Sequence, residues 1–201
     1  TTYFKNGAEI QVGTGLAAIN GNHVYLDGTI NALLGSTYQV DPVTLTIADG
    51  GIPLGGAAQD TIYKNQIQAY SNAGINLDLA ADELITVNYM NSGEILGGKG
   101  DITLRNVFDD GGIIFLANGS GLRTTIHTIA DFEKGGGSIY MIAGSGGITA
   151  GNLITGTLSN DKLSDPGKIR LLTINGGDIE VGTMSVTRGG FTEISAISSG
   201  N

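Results

Sequence analysis

Cysteine is absent from this 201-residue chain, which excludes disulfides, thiolate metal sites and thiol nucleophiles. Tryptophan is also absent, and the 3 prolines exclude a collagen-like reading of the 34 glycines. Only 10 Lys and Arg face 19 Asp and Glu, a formal net charge of −9, and no basic run offers a footprint for phosphate backbones or anionic lipid. Nucleic acid is therefore not an expected partner. No stretch approaches the roughly 18 apolar residues of a membrane helix, and no charged start leads into an apolar h-region, so no membrane insertion is expected.

What the chain does contain is a phrase that keeps restarting: a glycine turn, a small or charged residue, then a short alternating apolar run. It reads GKGDITLRNV from Gly98 to Val107, GGIIFLANG from Gly111 to Gly119, GGSIYMIAG from Gly136 to Gly144, GKIRLLTI from Gly167 to Ile174 and GGDIEVGTMSV from Gly176 to Val186. Further strand signals lie at Ala8 to Val12, His23 to Ala32, Thr37 to Val40, Val43 to Ile47, Ile75 to Leu79, Leu84 to Tyr89, Thr124 to Ile129, Asn152 to Leu158 and Phe191 to Ile197. With 40% apolar residues there is enough material for a continuous core.

These features predict an all-β chain folded as one right-handed parallel β-helix over residues 1–201. Two strand repeats of about 10 residues would close a coil of about 20, giving about nine or ten coils and a rod on the order of 45 Å. Alternating apolar positions fill the narrow core, and glycines take the corners. Residues 50–72 break the rhythm and predict a loop and short helix over the rod, with Asp60 as the cap and Ile62, Ile67 and Tyr70 near one face. Ser159 to Gly167 forms a second, polar excursion. Strand-like sequence begins close to Thr1 and continues to Ile197 with no helical or proline-bearing cap, so the expectation is a piece of a longer rod or a subunit that self-associates end to end.

The segment Leu34 to Ile47 resembles a signature of filamentous-haemagglutinin-like bacterial exoproteins, in which a WLLDP-type strand precedes an alternating strand. Tyr38, Gln39, Val40, Asp41 and Pro42 stand in the first position, and Thr44, Leu45, Thr46 and Ile47 in the second. A polar loop, a helix-like stretch, the strand Ile75 to Asp82 and repeats of the form GDITL follow in similar order, from about Asn20 to Gly190. The resemblance implies a secreted or surface-displayed fibre, extracellular, used for adhesion or biofilm cohesion, with host or matrix glycans as a partner class.

Catalytic constellations are sparse, and no enzyme activity is expected. His23 and His127 each sit in an alternating strand without HxH or HExxH spacing and read as surface histidines. Asp109 and Asp110, with Asp101 upstream, form the densest carboxylate group, and Asp131 with Glu133 another. A polysaccharide lyase or hydrolase is the enzymatic alternative, requiring Asp101, Asp109 and Asp110 to converge with a basic residue such as Arg105 in one exposed groove. Otherwise the acids are Asp-Gly turn residues. Gly97, Gly98, Lys99, Gly100 and Asp101 fall one residue short of a calcium-binding nonapeptide, which leaves a solvated corner. Local Thr pairs at Thr44 and Thr46 are too interrupted elsewhere for an ice-binding ladder. Tyr25, Tyr38, Tyr63, Tyr70, Tyr89 and Tyr140 read as core or cross-coil stacking residues, with a sugar platform as the functional alternative. No catalytic, cofactor or metal set is assigned.

Overall fold

The computed structural model describes residues 1–106, 108–130, 135–158, 166–187 and 193–199. Within them every strand pairing between coils is parallel, and the chain winds as a parallel β-helix with three walls. The first two coils are β1 (Thr2–Phe4), β2 (Glu9–Val12) and β3 (Leu16–Asn20), then β4 (Val24–Leu26), β5 (Thr29–Ala32) and β6 (Thr37–Asp41). The third holds β7 (Thr44–Ala48), β8 (Thr61–Tyr63), helix α1 (Lys64–Asn72) and β9 (Asn76–Ala81). The fourth comprises β10 (Leu84–Val87), β11 (Glu94–Gly97) and β12 (Ile102–Asn106), and the fifth β13 (Gly112–Phe115), β14 (Thr125–Ala130) and β15 (Ile139–Ala143). The sixth and seventh are β16 (Gly147–Ala150), β17 (Leu153–Thr157) and β18 (Ile169–Thr173), then β19 (Ile179–Val181), β20 (Met184–Thr187) and β21 (Ile194–Ser198).

The third wall is one unbroken 7-stranded sheet in the order β21-β18-β15-β12-β9-β6-β3. Its inward positions stack into apolar ladders, because parallel register sets each residue beside its counterpart one coil away. Ala17, Tyr38, Leu77, Ile102, Ile139 and Ile169 form one ladder, and Ile19, Val40, Leu79, Leu104, Met141 and Leu171 the next. In the first wall Leu45, Ile85, Ile113 and Ile148 are stacked in the same way. Each methylene so buried contributes about 0.8 kcal/mol, and all the ladders belong to a single core.

The glycines mark corners where one coil presses on the next. A Cβ on Gly137 would lie 2.1 Å from the Gly100 carbonyl oxygen, one on Gly100 would lie 2.0 Å from that of Ile75, and one on Gly167 2.4 Å from Gly137. These three precede successive strands of the third wall, so the recurrent phrase has a steric cause: any side chain there would collide with backbone. Buried hydroxyls satisfy carbonyls at the same corners. Thr128 Oγ1 donates to the Gly137 oxygen at 2.6 Å, and Ser71 Oγ to that of Gly100 at 2.8 Å.

The coil differs in size from its expected form. Three short strands close it, not two, because phrases that read as one strand bend in the middle: His23 to Ala32 breaks at Asp27 and Gly28, and Ile179 to Val186 at Gly182. Gly28 is pressed against Phe4, where a Cβ would meet the ring at 2.4 Å. The 7-stranded wall therefore counts seven coils and spans roughly 29 Å along the axis, shorter than the anticipated rod.

Residues 50–60 form the expected loop, with Leu54 fully exposed, whereas the stretch from Thr61 to Asn72 belongs to the walls and does not lie over them. β8 runs beside β7 and reaches β4 through the Asp60 N–H, which donates to the Val24 oxygen at 2.8 Å, so it adds a strand to the first wall. Helix α1 then takes the place of a strand in the second wall, between β5 and β11. Tyr63, not Asp60, is the N-cap, its N–H donating to Gln66 Oε1 at 3.0 Å, while Gly74 at φ 77° follows the C-terminal end. Ile67 is buried; Ile62 lies in β8. Most of the Ser159 to Gly167 excursion lies outside the described residues.

Candidate functional site

The outer face of the third wall is the longest regular surface of the molecule. One outward row carries Gln39, Asp78, Thr103, Tyr140, Arg170 and Ser195, and the neighbouring row carries Ala80, Arg105, Ile142, Leu172 and Ile197, with Asp41 one coil before Ala80. Arg105 reaches back one coil to clamp Asp78 with two bonds, Nε to Oδ1 at 2.7 Å and Nη2 to Oδ2 at 2.9 Å. This fork-on-fork geometry is the strong form of a carboxylate pair, and it holds the guanidinium above its usual range.

Asp41 lies near that pair. Its Oδ1 is shielded from solvent and has no hydrogen-bond partner among the described residues. Burial raises its carboxyl above the ordinary range, Arg105 opposes that shift, and the charges of Asp82 and Asp78 add to it. A carboxyl raised by burial, next to a second carboxyl clamped by an arginine, brings two acids in different surroundings to one place. Beyond this cluster the same face carries a groove of about 380 Å³ lined by Tyr140, Ile142, Arg170, Leu172, Ser195 and Ile197.

The acids singled out in the sequence do not converge. Asp101 precedes β12 and accepts a hydrogen bond from the Ser138 N–H at 2.7 Å, whereas Asp109 and Asp110 lie on an exposed turn beyond the other end of that strand. Arg105, the basic residue expected to join them, is committed to Asp78. Asp131 and Glu133 lie outside the described residues. Among the described residues no three His, Asp or Glu side chains gather as a metal set.

The glycine corner at Gly97 to Asp101 is not solvated: Gly97, Gly98 and Gly100 are buried beneath the end of α1, with the Gly98 N–H donating to Ser71 Oγ at 3.0 Å. His127 points outward between Leu96 and Ile154, its Nε2 shielded and unpartnered among the described residues. His23 is tied to Asp60, Nδ1 to Oδ2 at 2.8 Å. Of the tyrosines, Tyr38 and Tyr63 are core residues, with Tyr38 meeting Tyr70 edge-on at 5.3 Å, while Tyr25 stacks on Tyr3 across coils at the surface.

Sequence reading missed the Asp41, Asp78 and Arg105 cluster because its members lie 37 and 27 positions apart and meet only through register. The outward alternation of DLA and TLRN was the available signal; the coil length that aligns them was not. No family model, curated protein or solved structure matches the chain.

Proposed function

We propose that this chain is a structural and adhesive segment of a bacterial fibre, secreted or displayed at the cell surface. The supporting observation is the third wall, seven parallel strands sharing one core without a break, a construction that transmits load along the axis through successive backbone ladders. The resemblance of Tyr38 to Ile47 and of the following segments to filamentous-haemagglutinin-like exoproteins points the same way. The parallel sense of all three walls supports self-association end to end, or continuation of the same rod, as its mode of assembly.

The reading is tested on two counts. Antibody raised against the chain should label intact producing cells and lose its target when they are shaved with protease; labelling confined to lysed cells overturns the location. Beads coated with the purified chain should attach to host-cell or biofilm surfaces more than albumin-coated beads, and equal attachment overturns the adhesive role.

A second reading, a polysaccharide lyase or hydrolase, draws on Asp41 beside the Asp78–Arg105 pair. It requires release of unsaturated or reducing ends from a polysaccharide panel, abolished by Asp41→Asn. No release from any polymer favours the fibre.

A further inference from the structure

The sequence holds two Asp-Pro bonds, Asp41–Pro42 and Asp165–Pro166. Such a bond is the weakest link of a polypeptide in acid. The prolyl nitrogen carries no hydrogen and leaves as a secondary amine, and the aspartate carboxyl can close a succinic-anhydride ring on its own main-chain carbonyl. A folded chain suppresses this reaction by keeping the carboxyl ionised or by tying its oxygens into hydrogen bonds. At Asp41 both restraints are weakened.

Asp41 ends β6, and the buried Pro42 opens the corner that leads to β7. Backbone contacts fix the bond between them from both sides. The Asp41 carbonyl oxygen accepts from the Gly21 N–H at 3.3 Å, and the Pro42 oxygen accepts from the Asp82 N–H at 3.1 Å. The first of these donors sits where negative charge would gather if the Asp41 carbonyl were attacked, the role of an oxyanion donor.

The side chain is free to act. Oδ1 of Asp41 is shielded from solvent and has no hydrogen-bond partner among the described residues. The groups that face it are Asp78 on β9, Asp82 just beyond that strand and Arg105 on β12, while β3 brings only the neutral Asn20 as register partner. Arg105 is held by Asp78. Burial first, and then the two acids, raise the Asp41 carboxyl against the pull of Arg105, so it keeps its proton at a pH where an exposed aspartate has lost it. Neutral, it carries both things the reaction needs: a proton for the leaving nitrogen and an oxygen for the carbonyl carbon.

We propose that Asp41–Pro42 is a self-cleavage site, at which the Asp41 carboxyl severs its own main-chain bond and divides the chain between the second and third coils. Oδ1 attacks the Asp41 carbonyl carbon, and the carbonyl oxygen takes up charge toward the Gly21 N–H. The C–N bond then breaks, its electron pair goes to the Pro42 nitrogen, and the carboxyl proton follows it there. This leaves a cyclic anhydride at the end of residues 1–41 and a free prolyl amine at the start of residues 42–201. Water opens the anhydride to a pair of carboxyls, so the sum is hydrolysis of a single peptide bond with no other reactant.

The cut does not scatter the pieces. β6 stays laddered to β9, the Asp60 carboxylate and N–H hold Val24, and Gln66 Nε2 holds the Leu26 oxygen, all across the break. Self-cleavage therefore yields a nicked rod whose first two coils are kept in place by hydrogen bonds and core packing alone. In a fibre, this joint is where acid sets a weaker link. Cleavage itself needs no adhesive role, only this chain and water.

The test is prolonged incubation of the purified chain near pH 5, about one unit above an ordinary aspartate, with mass spectrometry of denatured samples and circular dichroism to show that the chain is folded. Fragments 1–41 and 42–201 should accumulate with a half-time independent of protein concentration, at least about tenfold faster than the break at Asp165–Pro166 in the same sample. In urea the rate at Asp41–Pro42 should fall to that of the other bond. Asp41→Asn, which removes the acid and keeps the shape, should leave the chain whole at this position. A folded chain that stays intact, a smaller advantage over Asp165–Pro166, a rate at Asp41–Pro42 that urea leaves unchanged, or cutting of the Asp41→Asn chain at this bond overturns the proposal.

Discussion

The second and third walls solve the same problem in different ways. In the third, seven strands satisfy one another through backbone ladders alone. In the second, the ladder is interrupted after β5 and resumes at β11, and side chains of α1 bridge the gap. Gln66 Nε2 donates to the Leu26 oxygen at 2.9 Å, Tyr70 accepts from the Ile30 N–H at 3.3 Å, Gln68 Oε1 from the Leu96 N–H at 3.0 Å, and Ser71 Oγ from the Gly98 N–H at 3.0 Å. A solenoid wall thus tolerates a helix in place of a strand provided that the groups it exposes are paired. The polar face of α1, two glutamines, a tyrosine and a serine, is spent on this task.

If this account holds, damage to the third wall costs more than damage to the second. Leu104→Ala, in the middle of a fully buried ladder, should lower stability by about 4 kcal/mol in urea unfolding, and a loss under 1 would mean that the ladder is not the main source of stability. Gly137→Ala should follow at about 3 kcal/mol, since its methyl group meets backbone that cannot turn aside. Ser71→Ala, which strips a partner from the Gly98 N–H at the helix seam, should cost about 1 to 2 kcal/mol. Hydrogen exchange would show faster opening at Gly98 and β11 with the third wall unaffected.

The smallest effect sharpens the contrast through pH. Asp49 accepts from the Asn91 N–H at 2.9 Å and pairs with Lys64 at 3.0 Å, and these contacts, the Asn91 bond foremost, hold its carboxyl below the usual range. Its contribution is present above the unfolded value near 3.9 and is lost as pH falls through the lowered folded value. Asp41 is raised, chiefly by burial, so its contribution has the opposite sense: present in acid, lost as pH rises through the folded value. Asp49→Asn should therefore be destabilising at neutral pH and silent in strong acid. Asp41→Asn should be stabilising by a few tenths of a kcal/mol or more at pH 7 and converge with wild type below about pH 4. Thermal melts across pH 2 to 8 would read both, and equal behaviour of the two variants would contradict their assigned surroundings.

The fold class was legible because alternation and glycine spacing are local properties. The coil was not, because which strands share a wall depends on corners as small as Asp27–Gly28, where a bend is set by the Phe4 ring from the preceding coil. The strands Leu16–Asn20, Glu94–Gly97 and Gly147–Ala150 carry alanine, glycine or a single apolar pair and give little pattern of their own; their neighbours make them strands. A helix was readable near Ile67 and Tyr70 from spacing, yet Asp60 looked like its cap when its carboxylate serves Val24 and His23 in another coil. The Tyr3–Tyr25 stack was equally hidden, since β1 shows only Thr2, Tyr3 and Phe4 and its partner is named by register alone.

The column of Gly100, Gly137 and Gly167 gives the rod a seam at which every cut falls at an equivalent place. A stretch running from one of these glycines to the next is a complete link, entering and leaving the solenoid at the same point of its cross-section, whatever loops it carries between. Lengthening such a protein, by gene duplication or by design, amounts to splicing in another link at this seam, with glycine wherever the next coil presses on the backbone, as it does at Gly100, Gly137 and Gly167.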